Sequence, residues 1–111
     1  MSDCVICRIV AGEIPAKIVH QDDRSVAFRD IDPQAPLHVL VVPRAHVAAL
    51  ADLDDAALGG HLLGVARTVA ADAGYRDSFR LVVNNGEAAG QSVRHLHLHV
   101  LGGRRFAWPP G

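Results

Sequence analysis

Residues 91–103 read QSVRHLHLHVLGG and form the most regular pattern in the chain. His95, His97 and His99 alternate with leucine and valine, and two glycines close the run. Strict alternation is typical of a β-strand, in which successive side chains point to opposite faces. The pattern predicts a strand over residues 95–101, with the imidazoles on one face and an apolar face toward a core.

Such a row of imidazoles has three interpretations. The rings could lie on an exposed strand face without a role, or two of them could join a third ligand in a catalytic metal site. They could also serve phosphoryl transfer, in which a neutral histidine attacks phosphorus and a protonated one holds the phosphate. His97 has a histidine on either side, so it is the best-placed nucleophile of the three.

Length and composition limit the remaining choices. The chain has 111 residues, 50% of them hydrophobic and 21% charged, which predicts one globular domain spanning residues 1–111. A net charge of −1 argues against nucleic-acid binding through a basic face, although a single bound nucleotide stays possible. We see no apolar run long enough for a membrane span and no signal peptide, so we expect a cytoplasmic protein with no membrane partner.

The rest of the chain predicts five strands and two helices, and therefore an α+β fold. A short helix over residues 4–11 could be capped by Ser2 or Asp3. Strands 18–21 and 25–29 flank a turn at 22–24, and the apolar run 38–43 predicts a central strand. Residues 52–55 begin a long helix that Gly74 ends, and residues 80–84 predict another strand before a glycine-rich loop.

Several motifs together carry a resemblance to a known family. They are HLHLHVL at 95–101, EIPAKIV at 13–19, DDR at 22–24, AFRDIDPQAPLH at 27–38, VVPRAH at 41–46, GQSV at 90–93, LGGR at 101–104 and WPPG at 108–111. The chain resembles the histidine triad (HIT) superfamily of nucleotide hydrolases and transferases, and the WPPG terminus is similar to its Hint-like branch of purine nucleoside phosphoramidases. The resemblance implies a HIT-like fold with an antiparallel sheet of about five strands, a homodimer, and a purine nucleotide (AMP or GMP derivative) as partner.

The resemblance also implies catalytic roles. His97 would attack the α-phosphorus to form a nucleotidyl-histidine intermediate, with one ring nitrogen held by a backbone carbonyl. His99 would bind the phosphate, His38 would orient the triad, and Ser92 would contact the leaving group. Read without the family, His38 could be a hydrogen-bonded core histidine and Ser92 a turn residue.

A second set of residues would bind the substrate. Asp30 would accept the ribose hydroxyls, and the apolar side chains of Phe28, Ile31 and Ile9 would sandwich the base. Asn84 would contact phosphate, although asparagine at this place is also a common turn residue. Gln91 belongs to a glycine-rich loop whose N–H groups can hold a phosphate. Trp108 would reach the partner subunit's active site, or serve only in dimer packing.

Cys4 and Cys7 have metal-ligand spacing but supply only two ligands. They could be a redox pair, buried core thiols or half of a metal site. Similarity to bacterial-type HIT proteins with this motif implies a structural zinc completed by His46 and His95, with no catalytic metal. Two other functions stay open at this point: a diadenosine polyphosphate hydrolase or nucleotidyltransferase, and a nucleotide-binding adaptor with weak catalysis.

Overall fold

The computed structural model describes residues 3–111, which form an α+β fold as predicted. The strands are β1 (Ile18–Gln21), β2 (Ser25–Arg29), β3 (Leu37–Pro43), β4 (Arg80–Val82) and β5 (Leu98–Gly102). The α-helices are α1 (Val5–Val10) and α2 (Ala56–Asp72), with 3₁₀ turns at Leu50–Asp52 and Glu87–Ala89. Within residues 3–111, no helix is long and apolar enough to cross a bilayer.

The five strands form one sheet in the order β1-β2-β3-β5-β4, and every neighbouring pair is antiparallel. The apolar strand β3 is central, as its continuous hydrophobic run predicts. The predicted bounds of β1 and β2 are confirmed. Their turn is held by the Asp22 carboxylate, whose Oδ1 accepts hydrogen bonds from the N–H groups of Arg24 and Ser25, both at 2.8 Å.

The two faces of the sheet have different neighbours. Helix α2 covers one face with its buried stripe, which packs against alternate residues of the central strands. These are Leu58, Leu62, Val65, Ala66, Val69 and Ala70 against Ala27, Val39, Val41, Leu98 and Val100. Helix α1 packs against the other face through Ile6, which joins a small cluster with Val26, Phe28 and Val42. The second face is only partly covered, and the candidate site described below lies on it.

Strand β5 begins at Leu98, so the prediction that it starts at His95 is wrong. The register pairs Val41 with Leu98, which would set Leu96 opposite Pro43. Proline has no N–H to donate, so the ladder cannot continue there. The N–H of Leu96 donates instead to the Val47 carbonyl at 2.7 Å. This break turns His95 away from the row that regular alternation predicts.

Other element ends also differ slightly from the predicted ones. Helix α1 is capped by Cys4, whose sulfur accepts from the Cys7 N–H at 3.3 Å, and not by Asp3; Ser2 lies outside the described residues. Helix α2 begins after Asp55, which caps it through Leu58 N–H, because residues 50–52 form a separate 3₁₀ turn. Strand β4 ends at Val82, two residues earlier than predicted.

Candidate functional site

A cleft of about 490 Å³ opens between α1 and the sheet face that α2 leaves uncovered. Its wall is mostly apolar, formed by Val5, Ile6, Ile9, Ile14, Phe28, Ile31, Leu40 and Val93. Its polar lining comes from Arg29, Asp30, Ser92, His97 and His99, and the rings of His97 and His99 lie 5.1 Å apart, centroid to centroid. An apolar slot with a few convergent polar groups is typical of a small-molecule site.

His97 presents a single nitrogen for chemistry. Its ring is only 6% exposed and lines the cleft, and Nδ1 lies 2.7 Å from the main-chain carbonyl of His95. A carbonyl can only accept, so Nδ1 carries the proton and donates it. The lone pair of neutral His97 is therefore on Nε2, as a nucleophile requires.

A second chain of hydrogen bonds sets the proton on His99. The N–H of Gln34 donates to Nδ1 of His38 at 3.0 Å, so this nitrogen is unprotonated. The proton of neutral His38 is then on Nε2, which donates to Nδ1 of His99 at 3.0 Å. Neutral His99 in turn carries its proton on Nε2. We call His38 and His99 the histidine relay.

His99 is a neutral donor at neutral pH. Burial, followed by the nearby His97 and His38 rings, lowers the pKa of His99 from 6.5 to about 4, although Asp30 opposes the shift. The ring lies 5.1 Å from His97, centroid to centroid. A phosphate beside it would receive an N–H hydrogen bond from an uncharged ring. This geometry favours hydrogen bonding over the protonated clamp that the sequence left open.

Asp30 lies at the border between the relay and the cleft. Its Oδ1 accepts from the Asp32 N–H at 2.9 Å, and its Oδ2 lies 3.4 Å from Nε2 of His38. Asp30, His38 and His99 are close enough together to hold a metal ion. Binding at Nε2 of His38 would move its proton to Nδ1, which faces the Gln34 N–H. The hydrogen bonds as they stand therefore fit a proton relay better than a metal.

Most residues predicted to bind the substrate line the cleft, but they differ in exposure. Phe28 is buried at its base, Ile9 is half-buried on α1, and Ile31 is fully exposed at its rim. Ser92 is exposed and faces both this cleft and a neighbouring one bordered by Cys4 and Cys7.

Three predicted residues do not line the cleft of the single chain. The side-chain amide of Gln91 is fully used in hydrogen bonds to the main chain. Its oxygen accepts from the Gly86 N–H, and its nitrogen donates to the Ala48 and Val93 carbonyls. Asn84 lies behind the glycine-rich loop, against Gly90. The Trp108 side chain is 82% exposed. Gln91 and Asn84 therefore have loop contacts in place of a pocket contact.

The four predicted metal ligands meet at the N-terminal end of α1. Nδ1 of His95 lies 3.4 Å from both Cys4 Sγ and Cys7 Sγ and 3.2 Å from Nδ1 of His46. Cys7 Sγ lies 3.3 Å from Nδ1 of His46. Tetrahedral zinc with bonds of about 2.0–2.3 Å needs ligand atoms separated by roughly 3.3–3.8 Å. The cluster is compatible with zinc in both donor type and spacing.

The tautomer of His95 supports this fit. Its Nε2 donates to the Pro43 carbonyl at 2.9 Å, which leaves the lone pair on Nδ1, toward the sulfurs. Burial, as the main cause, lowers the pKa of His95, so the ring is neutral as a ligand must be. Four protein ligands would close the coordination shell of a bound ion, which is typical of a structural zinc.

The sequence could not predict the hydrogen bonds that set the tautomers of the histidine rings. The N–H of Gln34 and the carbonyls of Pro43 and His95 set the ring tautomers, and main-chain groups are the same in every residue. Leu40 was within reach of sequence reasoning, because it lies two residues after His38 on β3 and so shares its face.

Comparisons with known proteins agree with this architecture. The model of the HIT domain family matches residues 11–106. An uncharacterized HIT-like protein of Synechocystis is 55% identical over 111 residues, covering 98% of this chain and 97% of that protein. A HIT family hydrolase from Legionella pneumophila has a TM-score of 0.95 at 45% identity, covering 98% of this chain and 100% of its own. A histidine triad protein from Clostridium difficile has a TM-score of 0.91 at 40% identity, covering 96% of both chains.

Proposed function

Because this chain belongs to the HIT family, we propose that it hydrolyses purine nucleoside 5′-phosphoramidates, or the related acyl nucleotides, through a nucleotidyl intermediate on His97. The observation that carries the proposal is the pair of hydrogen bonds that leaves Nε2 of His97 unprotonated beside the N–H of His99. The nucleophile and the phosphate donor of this proposal, His97 and His99, thus line the same apolar cleft. A structural neighbour named as a HIT family hydrolase adds support.

In the first step, Nε2 of His97 attacks the α-phosphorus and the bond from phosphorus to the leaving nitrogen breaks. The amine departs with its bonding electron pair and takes up a proton, for which the Ser92 hydroxyl is placed at the cleft edge. The Nδ1–H bond to the His95 carbonyl stabilises the positive charge that develops on the ring. His99 donates to a non-bridging oxygen, where negative charge is greatest.

In the second step, water attacks the same phosphorus, the bond to Nε2 of His97 breaks, and the proton that the water loses restores the Ser92 hydroxyl. The products are the nucleoside monophosphate and the unmodified histidine. The histidine relay keeps its donor on the phosphate through both steps, because neither step requires a proton from Nε2 of His99.

The apolar end of the cleft would bind the purine. Phe28 and Ile9 can contact the two sides of a flat ring, and Ile31 at the rim can close over it. These contacts are dispersive and hold adenine and guanine alike. Asp30 would accept hydrogen bonds from the ribose hydroxyls, a common use of a carboxylate in nucleotide sites.

The group of two cysteines and two histidines would support this site without taking part in the reaction. Cys4, Cys7, His46 and His95 would hold zinc, which when bound fixes the chain on both sides of the cleft. His95 links the two centres, since its ring belongs to the cluster and its carbonyl holds His97. We also propose that the protein is a homodimer in which Trp108 approaches the partner's cleft.

The covalent intermediate provides the test. Adenosine 5′-phosphoramidate is mixed with the enzyme, the reaction is quenched in the millisecond range, and the protein is analysed by mass spectrometry. We expect an AMP adduct on His97, release of AMP, and loss of both in His97→Ala. His61→Ala is the matched control, because His61 lies on α2 at the other face of the sheet.

Three other results would contradict different parts of the proposed function. An adduct mapped to His99 would overturn the assignment of the nucleophile. Cleavage of diadenosine polyphosphates in preference to the phosphoramidate would overturn the substrate class. Tight nucleotide binding with no turnover of either substrate would favour the adaptor.

A further inference from the structure

The loop between β2 and β3 is tied to the C-terminal segment at the point where it touches the histidine relay. Nε of Arg104 donates to the Gln34 carbonyl at 2.8 Å, and Nη1 donates to the Arg105 carbonyl at 2.8 Å. The guanidinium also stacks on Phe106, with its carbon 4.1 Å from the ring centroid. Arg104 is therefore held in one orientation although it is an exposed residue.

The neighbouring Gly103 makes a second contact with the same loop. It has φ of +92°, and a Cβ on it would lie 2.9 Å from Pro36 Cβ and 2.8 Å from the Tyr75 hydroxyl. Only glycine permits both this conformation and this approach. The C-terminal segment thus packs directly against the loop that carries Gln34.

We propose that Arg104 is a positioning residue for the active site, which holds the Gln34 peptide so that its N–H keeps the proton of His38 on Nε2 and thereby directs the donor of His99 into the cleft. The path runs from Arg104 Nε to Gln34 O at 2.8 Å, from Gln34 N to His38 Nδ1 at 3.0 Å, and from His38 Nε2 to His99 Nδ1 at 3.0 Å.

The direction of each bond explains why the peptide matters. If the Gln34 N–H turned away, Nδ1 of His38 could take the proton and Nε2 could lose it. His38 would then accept from His99, and the proton of His99 would move to Nδ1, away from the phosphate. Residues 30–36 contain two prolines and no regular element. Inside this loop the Gln34 side chain donates to the Asp32 carbonyl at 3.0 Å, while the Gln34 carbonyl accepts from Arg104, outside the loop.

The test reads the ring protons directly. In histidine-¹⁵N-labelled protein at neutral pH, two-bond ¹H–¹⁵N correlation spectra distinguish Nδ1–H from Nε2–H rings. We expect Nε2–H rings at His38 and His99 in the wild type. Arg104→Met, which retains the apolar stem over Phe106 but has no donor, should show a second tautomer at both rings. Arg104→Lys, which retains a donor, should restore most of the wild-type pattern.

Measurements of kcat and KM provide a second test, which rests on the proposed function. Arg104→Met should lower kcat about tenfold, as expected for one misdirected hydrogen bond, with KM within about twofold. Arg105→Ala is the matched control, because only its main-chain carbonyl meets Arg104, and it should retain both the spectra and kcat.

The two proposals fail separately. Wild-type tautomers at His38 and His99 in a folded Arg104→Met protein would overturn the role of Arg104, whatever the kinetics. If the wild type turns over no phosphoramidate, the proposed function fails and the spectra still decide this inference. Thermal melting confirms folding, and if Arg104→Met does not fold, Arg104→Leu, which also has no donor, takes its place with the same expected spectra.

Discussion

Main-chain groups determine which ring nitrogen carries the proton in three of the imidazoles, those of His38, His95 and His97. His38 faces an N–H, while His97 and His95 face carbonyls through different ring nitrogens. Because a peptide N–H only donates and a carbonyl only accepts, each contact sets which nitrogen has the lone pair. Three identical side chains thus differ in the nitrogen that they leave unprotonated, which is Nδ1 in His38 and His95 and Nε2 in His97.

Asp30 gives a prediction at the residue scale. Asp30→Asn removes the charge that would attract the ribose hydroxyls, so KM for adenosine 5′-phosphoramidate should rise by about tenfold, as for a lost hydrogen bond to a charged group. With the 2′,3′-dideoxy analogue, which has no such hydroxyls, wild type and variant should have similar KM values. Steady-state kinetics of both proteins with both substrates measures this.

An equal rise in KM with the two substrates would contradict the ribose contact. In that case the effect of Asp30 would run through its neighbour His38, whose Nε2 lies 3.4 Å from the carboxylate.

The cysteine cluster gives a second prediction. Wild-type protein should contain about one zinc per chain, and Cys7→Ser should lose most of it because serine is a poor zinc ligand. Removal of the metal should also lower the melting temperature, since a bound ion would join α1 to His46 and to the segment before β5. Elemental analysis and thermal melting check both effects. Full zinc content in Cys7→Ser would rule out this set of ligands.

At the scale of elements, Asp22 joins the β1–β2 hairpin to helix α2. Its Oδ2 accepts from Nε2 of His20 on β1 at 2.9 Å and from Nε2 of His61 on α2 at 3.0 Å. The buried hydroxyl of Ser25 donates to the same oxygen at 2.8 Å. Sequence reasoning assigned Asp22 only to the turn, because these partners lie as far as 39 residues away.

The stability of this junction should depend on pH. Burial acts to raise the pKa of Asp22, but hydrogen bonds from His20, the Arg24 N–H, Ser25 and His61 outweigh it and hold the pKa well below 3.8. A carboxylate whose pKa is lower in the folded state stabilises the fold at pH values above its unfolded-state pKa. This stabilisation is lost as the pH falls through the folded-state pKa. Asp22→Asn should therefore lower the free energy of unfolding by about 1–3 kcal/mol at pH 7.

The difference between wild type and Asp22→Asn should shrink as the pH falls below 3.8. Urea unfolding at several pH values measures it, and Asp23→Asn in the same turn is the control because its side chain is exposed. A difference that does not change with pH would show that shape, and not charge, is what the turn needs.

At the scale of the whole molecule, the outer face of α2 has features of a contact surface. Leu63 is 54% exposed, and a Cβ on Gly60 or Gly64 would meet no atom within 4 Å. An apolar side chain flanked by glycines allows two helices to approach closely, and a two-fold axis would bring the same patch together twice.

Leu63→Arg should therefore convert the proposed dimer to a monomer, because it would bring two like charges into the interface. Light scattering coupled to size-exclusion chromatography measures the mass. Val19→Arg is the control, since Val19 is also an exposed apolar residue, at 42%, but lies on the edge strand β1 and not on α2. A wild-type chain that is monomeric at all concentrations would reject the dimer, and with it the role of Trp108 across subunits.

The sequence by itself determined the elements and the residue types of the site. Alternation, turn residues and apolar spacing predicted five strands and two helices, because these patterns follow from backbone periods of 2.0 and 3.6 residues. The histidine motif and the paired cysteines indicated a phosphoryl site and a metal site, because few side chains can do either kind of chemistry.

Only the tertiary structure decided how the histidines differ. Pro43 on the neighbouring strand stops the ladder, so His95 turns to the cysteines while His97 and His99 stay at the cleft. The contacts of Gln34, Arg104 and His61 are also tertiary, since they join residues far apart in the chain or use main-chain atoms. Such contacts depend on which strands are neighbours and on where each strand ends. A local pattern of side chains predicts neither of these.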